Sequence, residues 1–360
     1  MPLEFRMDVT EAAAVGEPAH VALTVHLPAP EAMPEIPIVC FAKPGGGYSR
    51  GYYTCDLPGP GGGASEADWH ADRGWIVVSV DHLGVGDSSI HAPEKLGYTA
   101  VANASQAAEA EVLRRLAEGT LHDPFPSVRD PLKIGIGQSM GGCMTIVQQG
   151  RHHCYDGIGV LGYSAIHTHP PVRPGEEPIV APWIPRDRLT SHPFPMVNEA
   201  AVRASMALAG GGNRMAWGFH YDDVPAEVVE RDLAHFNRNI HDPTSMGGLE
   251  PPPWSSLTTP GAVAQSTLTP GAVAAEAAAV TVPVLCAMGE RDVVADPPGE
   301  PRAFRSSRSV ELFVCPRMGH MHNFAGTREL FWRRIELFAE WCRTLKQADA
   351  TLPGLQVPRI

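Results

Sequence analysis

Hydrophobic positions along the chain follow two recurring patterns. Short apolar runs rich in Val and Ile occupy residues 20–28 (HVALTVHLP), 36–47 (IPIVCFAKPGGG), 74–81 (GWIVVSVD) and 132–137 (LKIGIG). Further runs lie at 155–164 (YDGIGVLGYS), 281–289 (TVPVLCAMG) and 309–316 (SVELFVCP). Their length and β-branched content predict strands. Longer stretches carry helical signals. Residues 98–121 are Ala/Leu/Glu-rich and free of Pro, a helix is expected from about Met140, and 327–345 is amphipathic. In that last helix Leu330, Phe331, Ile335, Phe338 and Trp341 recur at helical spacing. Strands of this kind alternating with helices imply an α/β fold, with a mostly parallel central sheet covered on both faces.

The rhythm breaks over residues 166–279, which are rich in Pro, Gly and Trp and hold no convincing strand. This stretch is expected to be a cap or lid inserted into a core made of residues 1–165 and 280–360. Its aromatics Trp183, Trp217, Phe219, Tyr221, Phe236 and Trp254 are expected to form a small core of its own, some of them facing a ligand. A hexapeptide, TPGAVA, occurs at 259–264 and again at 269–274. Two copies do not make a repeat architecture. Each reads as a helix start, with Thr259 and Thr269 as N-caps and Pro260 and Pro270 at the first helical position.

Composition narrows the classes of function. The 360 residues, 44% hydrophobic, suffice for one large domain with an elaboration. A net charge of −12 and no basic cluster argue against a nucleic-acid surface and against anionic membranes. Seven scattered cysteines without a CxxC pair give neither a zinc ribbon nor a disulfide framework. The first residues lack the basic and apolar regions of a signal peptide, so a soluble, reduced, cytoplasmic protein is expected. The pair His167 and His169 lacks a third ligand at metal-site spacing, so no metal is expected.

The chemistry concentrates in KIGIGQSMGGCMTIVQQG, residues 133–150. Gly137-Gln138-Ser139-Met140-Gly141 fits G-x-S-x-G, with an apolar strand before it and a helix after it. A serine hydroxyl is a weak nucleophile until a base takes its proton, so it must be held exposed. A sharp strand-to-helix turn does this, flanking glycines relieve the crowding, and the helix N-terminus offers the Met140 N–H to a developing oxyanion. Taken alone, the pentapeptide also fits a structural serine in a Gly-rich turn.

In this context the chain resembles the α/β-hydrolase superfamily over roughly residues 20–165 and 280–345. The likeness rests on the turn at Ser139, on DHLGVGDSS (81–89), on PGGGYSRGYY (44–53), and on an acid and a base further along. It implies a nucleophile–acid–base order of Ser139, Asp292 and His320. Asp292 ends the strand in Gly289-Glu290-Arg291-Asp292, with Asp296 as the fallback. His320 lies in a Gly-His pair, and His322, two residues on, is the alternative base or a substrate-facing group. The resemblance also implies a glycine-rich oxyanion loop in which the N–H groups of Gly46 and Gly47 join that of Met140. Tyr48 would take the variable position after the glycines. Pro44 stands where many relatives have His. Arg50 could bind a substrate carboxylate or serve the structure.

The expected activity is hydrolysis of a carboxylic ester of moderate size through an acyl-enzyme, without a cofactor. Thioester, amide or carbon–carbon hydrolysis and acyl transfer would use the same groups, and a non-catalytic small-molecule binder is the reading from another class. The expected partner is a small-molecule ester, with no nucleic acid and no membrane, and the insertion could equally serve as an interface in a homo-oligomer.

Overall fold

A computed structural model describes residues 2–176, 186, 213–234 and 250–351. Its centre is an eight-stranded sheet in the order β1-β2-β4-β3-β5-β6-β7-β8. The strands are β1 (Leu3–Asp8), β2 (His20–His26), β3 (Ile38–Lys43), β4 (Trp75–Val80), β5 (Leu132–Gln138), β6 (Gly157–Leu161), β7 (Val284–Gly289) and β8 (Val310–Cys315). The β1–β2 and β2–β4 pairs are antiparallel, and every pair from β4 through β3 to β8 is parallel. The seven strands expected from the sequence are present. β1 is an addition: it alternates exposed and half-buried positions on the sheet's edge, a pattern too weakly apolar to stand out.

The helices are α1 (Thr10–Ala13), α2 (Gly51–Thr54), α3 (Glu66–Ala71), α4 (Tyr98–Glu118), α5 (Met140–His152), α6 (Asn213–Phe219), α7 (Ala226–Leu233), α8 (Gly261–Ser266), α9 (Ala274–Ala279) and α10 (Arg328–Thr351). Buried residues form one core on the sheet face that carries α4, α5 and α9, and a second on the face that carries α2, α3 and α10. On α10 the buried stripe is Phe331, Trp332, Ile335, Phe338, Ala339 and Cys342. Leu330 and Trp341, expected on that stripe, are 54% and 41% exposed. Helical spacing alone did not fix the width of the stripe, and Trp332 with Cys342 shifts its centre away from them.

The two TPGAVA copies fold differently. The first gives α8, which starts at Gly261 with Pro260 as the residue before it and no side-chain cap. The second makes a turn in which Ala272 N–H donates to Thr269 O, and α9 begins after it with Val273 at the N-cap. Both N-cap expectations are therefore corrected, because the tertiary position of each copy overrides its local signal. Of the insertion's aromatics, Trp183 and Phe236 lie outside the described residues. All seven cysteines are free. No helix among the described residues is long and apolar enough to cross a membrane.

Candidate active site

The loops that follow β3, β5, β6, β7 and β8 converge at the carboxyl ends of the parallel strands, the usual ligand position of open α/β sheets. Ser139 sits between β5 and α5 with φ 54° and ψ −118°. A non-glycine residue in such a conformation costs about 1–3 kcal/mol and persists only where its surroundings enforce it. Here Ser139 N–H donates to Leu161 O at 2.8 Å and Cys143 N–H donates to Ser139 O at 3.1 Å, fixing the turn from both sides. The glycines are steric necessities. A Cβ on Gly137 would lie 2.1 Å from Gly141 O, and one on Gly141 would lie 2.1 Å from Lys43 O.

Asp292 and His320 meet at 2.7 Å, Oδ1 to Nδ1. The carboxylate is itself held by the N–H groups of Gly289 (2.9 Å) and Val293 (2.7 Å). Both side chains are almost fully buried. Gly162, with φ +58°, passes close enough that a Cβ there would sit 3.1 Å from Asp292 Oδ2 and 3.2 Å from His320 Nδ1. Asp296, the fallback acid, is exposed and faces Arg302 instead.

Gln138, the residue before the serine, reveals the state of His320. Its side-chain Nε2 lies 3.1 Å from His320 O and 3.1 Å from His320 Nε2. A carbonyl only accepts, so the amide NH2 must face this side. An NH2 only donates, so His320 Nε2 carries the bare lone pair and the ring proton is on Nδ1, towards Asp292. The imidazole thus pairs with Asp292 through Nδ1 and accepts from Gln138 at Nε2.

His322 is held elsewhere. It is buried, with Nδ1 3.2 Å from Tyr52 Oη, Nε2 3.0 Å from Glu66 Oε2, and its ring stacked on Phe331. Asn323 Nδ2 donates to the same Glu66 oxygen at 2.8 Å. The alternatives of His322 as base or as substrate-facing group are corrected: both nitrogens are committed to the protein interior. Arg50 is corrected as a substrate ligand too. Its guanidinium donates to Asp81 (2.5 Å), Glu4 (2.8 Å), Asp87 (2.8 Å) and Thr24 (2.9 Å), so three carboxylates already surround the charge. The Tyr48 hydroxyl donates to buried Asp232 at 2.8 Å, so it is engaged within the protein.

The glycine loop departs from expectation at one residue. Gly47, with φ +83°, donates its N–H to Thr259 Oγ1 at 3.2 Å. That donor is engaged by the returning insertion, which corrects its assignment as a free oxyanion donor. Among the described residues no acceptor takes the N–H of Gly46 or of Met140. The Pro44 departure is compensated by His82, fully buried after β4, whose Nε2 donates to Pro44 O at 3.0 Å. Sequence reasoning missed His82, although it stands inside the DHLGVGDSS segment. It also missed Gln138, which the G-x-S-x-G pattern leaves as a variable position.

Two fully buried groups contribute to the acid-stability profile. Burial holds the His82 pKa down at about 4, from 6.5, and the Pro44 hydrogen bond only partly opposes this. For Glu66, burial would raise the pKa, but the charge and hydrogen bond of His322, followed by His70, outweigh it and hold the carboxyl at about 2, from 4.5. From pH 6.5 down to about 4 the unfolded chain takes up a proton at His82 that the folded protein excludes, so stability falls with pH by about 3 kcal/mol. The Glu66 contribution, complete above about pH 4.5, is lost as pH falls towards about 2. Urea unfolding from pH 7 to pH 3 should show the decline beginning near pH 6.5, and His82→Gln should flatten its upper half. A wild-type profile that is level down to pH 4 would contradict the assignment of His82.

No protein-family model matches the chain, and no curated protein matches it. Solved structures do. A proline iminopeptidase from Mycobacterium smegmatis aligns with TM-score 0.55 and 14% identity over 96% of this chain and 100% of that one. An esterase from Thermogutta terrifontis aligns with TM-score 0.53 and 15% identity over 94% and 98%. An E-2-(acetamidomethylene)succinate hydrolase aligns with TM-score 0.52 and 15% identity over 94% and 100%. Identities this low speak to architecture alone, and on that architecture, with its sheet order and strand-end loops, the chain has the α/β-hydrolase fold.

Proposed function

We propose that the protein is a serine hydrolase that cleaves a carboxylic ester of moderate size through an acyl-enzyme. The observation that carries this reading is the setting of His320: Nδ1 lies 2.7 Å from Asp292 Oδ1, and Nε2 lies 3.1 Å from the amide of Gln138, the residue directly before a serine held in a strained strand-to-helix turn. In the reaction Ser139 Oγ displaces the Gln138 amide from Nε2 and attacks the ester carbonyl carbon, while Nε2 takes the hydroxyl proton. Asp292 steadies the imidazolium that forms. The N–H groups of Gly46 and Met140 receive the oxyanion. The tetrahedral intermediate collapses, its carbon–oxygen bond to the alcohol breaks, and the Nε2 proton leaves with the alcohol. Water, deprotonated by the same Nε2, attacks the acyl-serine; collapse breaks the acyl–Ser139 bond, releases the carboxylic acid, and the proton returns to Ser139. Esterases and other hydrolases among the structural neighbours are compatible with this chemistry.

The test is covalent labelling together with turnover. A fluorophosphonate should add one phosphonyl group per chain, mapped by peptide mass to Ser139, and Ser139→Ala should take up none. The labelled enzyme should lose hydrolysis of p-nitrophenyl esters, assayed from acetate to long chains. Undiminished ester turnover by Ser139→Ala would refute the reading. Labelling without turnover on any ester would keep the nucleophile and move the bond class to acyl transfer or carbon–carbon cleavage.

A further inference from the structure

Asp232, on α7 of the insertion, is completely buried. Its carboxylate accepts three hydrogen bonds from three separate segments. Oδ2 takes the Tyr48 hydroxyl at 2.8 Å and His220 Nε2 at 2.9 Å, and Oδ1 takes Trp254 Nε1 at 2.8 Å. Each donor belongs to a piece of the site's frame. Tyr48 directly follows the glycine loop. Trp254 lies on the strand-like return of the insertion, where its carbonyl accepts Ser49 N–H at 2.9 Å and the neighbouring Ser255 bridges to Tyr48. His220 follows the last residues of α6, which grip the base loop through its backbone. Gly218 O accepts His320 N–H and Phe219 O accepts Met321 N–H, both at 2.9 Å. The Phe219 ring packs 4.9 Å from the His320 ring, and a Cβ on Gly319 would come within 2.5 Å of Phe219 O.

His220 Nδ1 is buried without a hydrogen-bond partner. The ring's hydrogen bond is therefore the one from Nε2 to Asp232. A fully buried carboxylate depends on its donors, because burying a charge without hydrogen bonds is strongly unfavourable. Losing any one donor raises the cost of keeping the others in place, so the three segments are energetically tied.

We propose that Asp232 is a positioning residue, which sets the oxyanion loop and the base loop in register by fastening both to the insertion. This rests on the serine-hydrolase reading above. The insertion is then part of the catalytic frame as well as a cover: the carboxylate that seats it also seats Tyr48 on one side and, through His220 and the Gly218 and Phe219 carbonyls, His320 on the other.

The experiment compares wild type, Asp232→Asn, Tyr48→Phe and the double variant as full-length chains. Asn keeps the size but replaces one acceptor oxygen with an NH2, which in either orientation meets at least one of the groups now bonded to the carboxylate. Three quantities are read: the second-order rate of Ser139 labelling by a fluorophosphonate, kcat and KM for a p-nitrophenyl ester per labelled site, and the melting temperature. The expected result for Asp232→Asn is a 10- to 100-fold loss in labelling rate and in kcat, with KM within about twofold. The double variant should lose no more than Asp232→Asn alone, since one linkage is being broken twice. A purely structural role would lower the melting temperature and the labelled fraction while leaving kcat per labelled site unchanged, and that result would overturn the proposal. Should Asp232→Asn fail to fold, His220→Leu and His220→Gln carry the test. The Gln variant keeps an N–H donor for Asp232 and should lose less kcat per labelled site than Leu, whereas equal, wild-type rates in both would overturn it. Absence of labelling in the wild type would overturn the hydrolase reading and this proposal together, whereas normal wild-type labelling with an unchanged Asp232→Asn would overturn this proposal alone.

Discussion

On the serine-hydrolase reading proposed above, His320→Leu should lower ester turnover by about 10^4- to 10^6-fold while the protein remains folded, whereas His322→Leu should cost stability and leave kcat per labelled site near wild type. The first loss would be that of the group proposed as the base, paired with Asp292 through Nδ1, and removing one member of such a constellation costs nearly as much as removing all of it. Residual activity comes from oxyanion stabilisation and binding alone. His322 contributes differently. Its removal leaves Glu66, fully buried, with Asn323 and a His70 nitrogen 3.8 Å away but without its closest imidazole. Breaking a buried pair from one side costs about 3–5 kcal/mol. The measurement is kcat per labelled active site alongside denaturant unfolding for each variant. Loss of kcat in His322→Leu with normal stability would reverse the assignment of the two histidines.

The second large effect is on stability, at the root of the glycine loop. Lys43 ends β3, directly before Pro44, and its side chain is fully buried. Its Nζ lies 2.6 Å from Glu109 Oε1 and donates to Tyr155 Oη at 2.6 Å. Tyr155 and Gln148 donate in turn to Glu109 Oε2, at 2.6 and 2.7 Å. Lys43→Met leaves the Glu109 charge in the core without a cation, and should cost about 3–5 kcal/mol in denaturant unfolding. Glu109→Gln added to it removes the orphaned charge but keeps an acceptor for Tyr155 and Gln148, so the double variant should recover most of that loss. A single-variant cost below about 1 kcal/mol, or no recovery in the double variant, would show that the pair is not charged in the way its geometry indicates. Because the Lys43 carbonyl also accepts the Tyr53 hydroxyl at 3.1 Å, a folded Lys43→Met protein should keep its loop anchored from that side.

The parallel strands were legible because a strand covered on both faces must be apolar throughout, and β3, β4, β6 and β7 are buried at every position. The edge strand β1 was not, since one of its sides meets water and its apolar signal is halved. Ser139 could be singled out from its strand-to-helix context, whereas Asp292 and the 320–322 loop were read from the family resemblance, and the structure brings Asp292 and His320 together. Choosing between His320 and His322 could not be done that way. The two are two residues apart, and what separates them is Gln138 on one side and Glu66 on the other, 182 and 256 positions away in the chain. Thr259 on Gly47 and Asp232 on Tyr48 were hidden for the same reason, at separations of 212 and 184. Contacts between such distant positions leave no periodicity in a single sequence. The duplicated TPGAVA shows the converse: identical local signals became a helix in one place and a turn in the other.

The carbonyls of Gly218 and Phe219 bear on how this scaffold can be re-engineered. On the hydrolase reading proposed above, a change of substrate range invites exchange of the stretch between β6 and β7 as a cassette, cut after Leu161 and before Val284. Here that cassette contains two of the acceptors for the backbone of the His320 loop, the acceptor for the Tyr48 hydroxyl, and the acceptor for the Gly47 N–H. A graft that replaced the whole stretch would dismantle the frame it was meant to redirect. The modular unit is smaller, and a chimera should retain residues 218–220, 232, 254 and 259 and vary only the chain between them.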